Sequence, residues 1–147
     1  MQHKNLEYCL LKKRIKKNEG FSLKPYKDQL GFTTIGFGHL ILPKEQHLIK
    51  KSISKKNLEK LFINDFNKAL SDFNLKLSSV ASNRKDSELL IEMIFQMGLS
   101  RVLKFRKLLY HMNKRKKHLV CFEMMNSLWY KQTPNRVKNL IIIYLKK

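Results

Sequence analysis

Glu19, Asp28 and Thr34 lie in one unbroken stretch, Glu19 to Leu40, that reads EGFSLKPYKDQLGFTTIGFGHL. A carboxylic acid at a helix end, a carboxylate at a hairpin turn and a hydroxyl on the returning strand are the parts a hydrolase needs to protonate a glycosidic oxygen and aim a water. Each residue also has a local structural explanation, since Glu near helix ends, Asp in turns and Thr in strands are common. Taken alone, the trio leaves both readings open.

The elements that must position these groups are legible around them. Residues from about Leu6 to Asn18 read as a helix, with Leu11 and Ile15 at helical spacing and Leu10 beside them. Gly20 is the expected stop, which puts Glu19 at the helix C-terminus, where unsatisfied carbonyls disfavour its charge. From Phe21 to Leu40 the period moves towards two and glycines punctuate the run, the pattern of a small antiparallel sheet. Asp28-Gln29-Leu30-Gly31 is the predicted hairpin turn. Thr34 then shares a face with Phe32 and Gly36, Thr33, Ile35 and Phe37 take the other face, and Pro25 implies an edge strand.

After a loop around Pro43, Ser54 is the expected N-cap of a long helix carrying Leu58, Leu61, Phe62, Phe66, Ala69, Leu70 and Phe73 along one stripe, a brace between two lobes. Beyond about Ser87 the pattern is helical throughout, in segments Leu89 to Met97, Val102 to Met112, Leu119 to Met125 and a last helix from Pro134. Thr133 followed by Pro134 predicts a capped start for that final helix.

The 147 residues suit one domain with a sizeable buried core, and 43% hydrophobic content with regular periodicity argues against disorder. Lys and Arg number 31 against 11 Asp and Glu, a formal net charge of +20. Such a field gathers anionic partners, but nucleic acid, anionic lipid and bacterial wall are served equally, and part of the excess is a solvated lysine surface. The run Lys114 to Lys117 reads as a solvated loop, and no dedicated nucleic-acid motif is present. Cys9 and Cys121 each sit in apolar helical context and are expected to be small buried hydrophobes. The five histidines make no metal-ligand spacing, so neither metal nor cofactor is expected. No segment is long and apolar enough to span a bilayer, Leu140 to Leu145 being the longest apolar run, and the basic N-terminus lacks a secretory apolar stretch.

The Glu19 to Leu40 block closely resembles the phage-type lysozymes, the muramidases known from T-even phages. Three further blocks follow in the family's order. Glu59 to Phe66 reads EKLFINDF, like the family's inter-lobe helix; Phe95-Gln96-Met97-Gly98 matches its FQMG signature; Trp129 to Arg136, WYKQTPNR, follows its WYNQTPNR segment. The resemblance runs from the first helix to about Tyr144. It implies a lysozyme-like α+β fold, one domain over 1–147 with a sheet lobe at about 20–55 and a helical lobe at about 77–147 that takes in the N-terminal helix. It also implies hydrolysis of the bond between N-acetylmuramic acid and N-acetylglucosamine in peptidoglycan, with inversion.

By the same resemblance Glu19 is the general acid, Asp28 directs the water and Thr34 helps hold it. An inverting displacement needs room for that water, so the two carboxylates are expected to stand farther apart than in a retaining enzyme. Leu40, Phe95 and Gln96 fall on positions lining the saccharide cleft. Arg136 matches the arginine that pairs with the catalytic glutamate, and a cation there favours ionised Glu19 while the helix end favours the acid form. His39 and Asp65 match an ion pair clipping the sheet to the long helix. Trp129 reads as a core aromatic, and Gln96 serves a buried backbone group or the substrate.

The chain also departs from the family. The stretch between His39 and Ser54 is shorter, so part of the lower lobe's wall is expected to be missing. Leu108 and Glu123 fall on cleft positions without the family's polar residues. No terminal segment follows Lys147, and the basic N-terminus is expected to fill its place over the first helix. The partners implied are peptidoglycan and anionic envelope polymers, with no obligate nucleic acid, for a monomer made in the cytoplasm that reaches the wall by release, through a holin if phage-encoded. Two other classes stay open: a weak or inactive basic polyanion- or wall-binding protein, and a lytic transglycosylase.

Overall fold

The computed structural model describes residues 8–28, 30–50 and 53–147. The expected helix start at Leu6, the basic N-terminus and the turn position Gln29 lie outside the described residues. The chain forms two compact units, one ending at Lys68 and the other running from Ala69 to Lys147.

In the first unit, α1 (Cys9–Glu19) buries Leu11 and Ile15, four residues apart and so on one face, and leaves Leu10 to solvent. Gly20 ends it as its pattern predicts. Its φ of +71° lies in the left-handed region glycine enters freely, and its N–H closes on the Lys16 carbonyl at 3.0 Å. Cys9 opens the helix and is exposed, whereas Cys121 is buried, so only one cysteine is the small core hydrophobe expected of both.

The sheet has three antiparallel strands in the order β1 (Ser22–Lys27), β2 (Thr33–Gly36) and β3 (His39–Leu40). β1 is the edge, where Pro25 needs no N–H partner, and the pairing with β2 slips between Ser22 and Tyr26 around it. The hairpin closes with the Gly31 N–H on the Asp28 carbonyl at 3.0 Å. On β2 the expected alternation gives way: Thr34, Ile35 and Gly36 are all buried while Phe32 is half exposed. This middle strand is covered on both faces. Ile35 joins Ile41, Leu48 and Leu58 in a small core, and Gly36 packs so closely on Leu58 that an added Cβ would stand 3.3 Å from its side chain.

After β3 come a 3-10 turn (Pro43–Glu45) and a short helix, α2 (His47–Lys50), which the sequence pattern leaves as loop. α3 (Lys55–Lys76) starts where Ser54 Oγ accepts the Asn57 N–H at 3.2 Å, and it buries Leu58, Phe62, Phe66, Ala69 and Phe73 along one stripe.

The second unit is helical, with the end of α3 from Ala69 and then α4 (Arg84–Met97), α5 (Leu99–Leu103), α6 (Arg106–Asn113), α7 (Lys117–Met125), α8 (Leu128–Gln132) and α9 (Pro134–Leu145). α4 begins earlier than its apolar period suggests, because Asn83 Oδ1 accepts the Asp86 N–H at 2.9 Å. The single helix expected over Val102 to Met112 is broken at Lys104 and Phe105, where Phe105 leaves helical geometry and sets its ring edge-on to Trp129 at 6.2 Å. Thr133 does not cap α9 with its side chain; its hydroxyl donates instead to the Trp129 carbonyl at 3.2 Å, while Pro134 takes the first turn as expected. No helix among the described residues is long and apolar enough to cross a membrane. A mostly helical chain with one small antiparallel sheet is the α+β architecture that the resemblance implies.

Candidate active site

The end of α1 is locked to the sheet by aromatic rings. Phe37, between β2 and β3, lies 4.8 Å from Phe21 and 5.6 Å edge-on from Phe62 of α3, centroid to centroid. Lys16, one turn before Glu19, sets its ammonium 4.9 Å from both the Phe37 and Phe62 centroids and pairs with Glu59. Three elements therefore converge on the turn of helix that carries Glu19.

Glu19 itself is half-buried, with its carboxyl against the β2–β3 turn. A Cβ on Gly38 would stand 2.6 Å from Glu19 Oε2 and 3.2 Å from its Cδ, and Gly38 has φ +75°. Only glycine satisfies both the approach and the dihedral.

Asp28 is held by the hairpin it starts. Its Oδ1 accepts the backbone N–H groups of Leu30 and Phe32, each at 2.9 Å, which fixes the rotamer. Thr34 is buried, and its hydroxyl donates to the Phe32 carbonyl at 3.0 Å, leaving the oxygen's lone pairs as acceptors. Tyr26 stands opposite Thr34 in the β1–β2 pairing, two residues before Asp28. Burial raises the Tyr26 phenol above its ordinary range, and the Glu19 and Asp28 carboxylates raise it further. One phenol thus feels both acids. The sequence pattern does not single out Tyr26, which enters through its pairing with Thr34.

His39 sits between two carboxylates. Nδ1 contacts Asp65 Oδ2 at 2.7 Å, and Nε2 lies 3.2 Å from each oxygen of Glu45. The hydrogen bond to Asp65 raises its pKa against an opposing effect of burial, with the charges of Asp65 and Glu45 adding to the rise. The clip ties β3 to α3 and to the 3-10 turn, whose Glu45 also accepts the Leu42 N–H at 3.1 Å. Glu45 is a member that the sequence pattern did not single out. Leu40 pairs with Thr34 across β2 and β3 and is exposed.

Glu19, Asp28, Thr34, His39, Leu40 and Asp65 all belong to the first unit; Phe95, Gln96 and Arg136 belong to the second. There Phe95 and Arg136 are half-buried. Gln96 is engaged at both ends: Oε1 accepts the Trp129 indole N–H at 2.9 Å and Nε2 donates to Thr133 Oγ1 at 3.4 Å. That fastens the WYKQTP segment to α4, with Trp129 buried as a core aromatic. Leu108 is fully buried at the wall of a groove of about 380 Å³ that Glu123, Lys104, Arg106 and Lys107 also line.

Residues 16–142 match the family model described as phage lysozyme. The chain is 34% identical over 157 aligned positions to a protein of Dictyostelium discoideum named probable T4-type lysozyme 2, covering 91% of this chain and 92% of that one. A second Dictyostelium protein, probable T4-type lysozyme 1, is 31% identical with coverage of 90% and 92%. The pre-baseplate central spike protein Gp5 of Enterobacteria phage T4 is 30% identical over 89% of this chain, an alignment that takes in 27% of the spike protein.

Proposed function

The chain belongs to the phage lysozyme family and is a glycoside hydrolase, and we propose that it cleaves the β-1,4 bond between N-acetylmuramic acid and N-acetylglucosamine of peptidoglycan by a single inverting displacement. Glu19 protonates the leaving glycosidic oxygen. Asp28, with Oδ1 held by two turn amides, uses Oδ2 to take a proton from the attacking water, and the lone pairs of Thr34 Oγ1 orient that water from the next strand. The observation that carries the reading is the hairpin, where two turn amides fix Asp28 Oδ1, with Thr34 on the return strand and Tyr26 paired opposite Thr34. A neutral hydroxyl there donates to a sugar oxygen without adding a third negative charge.

Leu40, exposed on β3 beside Thr34, borders the saccharide path in this reading, while His39 and Asp65 brace the sheet without touching substrate. The net charge of +20 draws the enzyme to anionic envelope polymers, so lysis weakens as salt rises. The monomeric enzyme acts on the wall outside the cytoplasm after release or export, and cell lysis is its outcome.

The test is product analysis on purified peptidoglycan. Wild type gives reducing ends with inverted anomeric configuration, and Glu19→Gln loses about 10²–10⁴-fold in rate with fold and wall binding intact. Anhydro-sugar products mean a transglycosylase instead, and wall binding without cleavage means a basic wall-binding protein. Undiminished activity of Glu19→Gln removes that residue from its role.

A further inference from the structure

Helix α7 carries two apolar faces where a core needs only one. Val120, Cys121 and Met124 are buried. On the opposite side Leu119, Phe122 and Met125, spaced by three and so stacked on successive turns, are 40%, 58% and 53% exposed. Leu128 at the start of α8 extends the exposed apolar surface at 67%. A second apolar stripe on a surface helix leaves greasy area in water without a partner, and contiguous patches of this kind mark interaction sites.

The chemistry beside the stripe says which kind. Lys114, Arg115 and Lys116 directly precede α7 and are all exposed, in a turn that Arg115 makes with φ +59°. Lys114 lies 5.8 Å over the ring of Tyr110, itself 60% exposed on α6. Apolar side chains, an amphipathic aromatic and a cluster of three cations thus occupy one end of one unit. A nucleic acid would meet the cations and stack a base on Phe122, but it leaves Leu119, Met125 and Leu128 in water, and a wall glycan offers the stripe no apolar phase. A second copy would cover the apolar stripe but bring another +20 against it. An anionic phospholipid surface accepts both, acyl chains taking the stripe and headgroups the cations.

We propose that the exposed face of α7, with Lys114, Arg115 and Lys116 at its head, is a docking surface for an anionic lipid bilayer, on which the helix lies flat in the headgroup layer. This interaction is separate from wall cleavage, and none of these residues takes part in the proposed chemistry.

Sedimentation with phosphatidylglycerol vesicles, beside phosphatidylcholine vesicles, tests it. Wild type partitions to the anionic vesicles alone. Phe122→Asp/Met125→Asp reduces that partition about tenfold or more, whereas Leu10→Asp/Leu75→Asp, which removes two exposed leucines elsewhere and changes net charge by the same amount, retains most of it. Lys114→Gln/Arg115→Gln/Lys116→Gln, which leaves the helix unaltered, also reduces it about tenfold. Equal losses in the two aspartate pairs mean that net charge alone acts and overturn the proposal. So does an absence of binding to anionic vesicles, or a concentration-dependent wild-type dimer that Phe122→Asp/Met125→Asp abolishes, which would assign the stripe to a second copy.

Discussion

Asp86 of the helical unit and Asp28 of the sheet unit are held in opposite ways. In the helical unit Asp86 is 2% exposed and saturated: Oδ1 accepts the Tyr144 hydroxyl at 2.7 Å, and Oδ2 accepts both the backbone N–H and the hydroxyl of Ser82 at 3.0 Å. In the sheet unit Glu19 and Asp28 are half-buried, and Asp28 has one oxygen committed to its turn. A buried carboxylate is tolerated only when its lone pairs are filled, while one that is to exchange a proton has to keep an oxygen accessible. Asp86 thus meets the requirement for a structural acid, and Asp28 meets the accessibility that its proposed role needs.

Breaking the saturated acid should give the largest stability effect and no direct chemical one. Asp86→Ala leaves the Tyr144 hydroxyl and two Ser82 donors without their acceptor, a loss of about 3 kcal/mol in urea unfolding, while the specific activity of the folded fraction is unchanged. Burial, with the Asp86 carboxylate beside it, keeps Tyr144 in its protonated donor form, so Tyr144→Phe should reproduce part of the deficit. A drop in specific activity of either variant would erase the contrast between the units.

Gly38→Ala displaces Glu19 without changing it. The methyl group would stand 2.6 Å from Glu19 Oε2, so the carboxyl has to shift, and a misplacement near 1 Å is expected to cost about 10²-fold in kcat. The left-handed φ adds about 1–2 kcal/mol of destabilisation. Wild-type kcat in this variant would show that the position of Glu19 against the turn does not matter.

The His39 clip sharpens the comparison through pH. Asp65 holds the His39 pKa above its ordinary value, so the clip's contribution is fully present below the unfolded value of about 6.5 and disappears as pH rises through the raised one. Asp65→Asn should thus lower stability by about 2 kcal/mol below that range, with the gap to wild type narrowing towards alkaline pH. A gap independent of pH would mean that the pair is held by packing rather than by charge.

Tyr26→Phe is the mildest change. It removes one hydroxyl from a residue that is 37% exposed, so the melting temperature should stay within about 2 °C while kcat falls a few-fold and KM moves less. An unaltered kcat would take the phenol out of the proposed site.

Much of the candidate site was legible because its signals are local. Gly20 stops α1 one residue after Glu19, Asp28 and Gly31 bracket the hairpin, and Ser54 and the Leu58 to Phe73 stripe start and orient α3. Asn83 before α4 and Ser127 before α8, whose hydroxyl accepts the Tyr130 N–H at 3.1 Å, were local signals too and went unread. Glu45 and Tyr26 were harder, since each matters through partners that a strand or a turn brings near.

What the sequence determined by itself is the order and ends of these elements, since turns, caps and apolar periods act between residues a few positions apart. Tertiary structure alone decided which of several possible partners each group took. It covered both faces of Thr34 and Ile35, sent the Thr133 hydroxyl to Trp129 instead of to a cap, broke the helix at Phe105 so that its ring could meet Trp129, and set Gly38 against Glu19. The reason is that a hydroxyl, a ring or a glycine satisfies many local arrangements about equally, and the differences are set by burial and contact with residues distant in the chain.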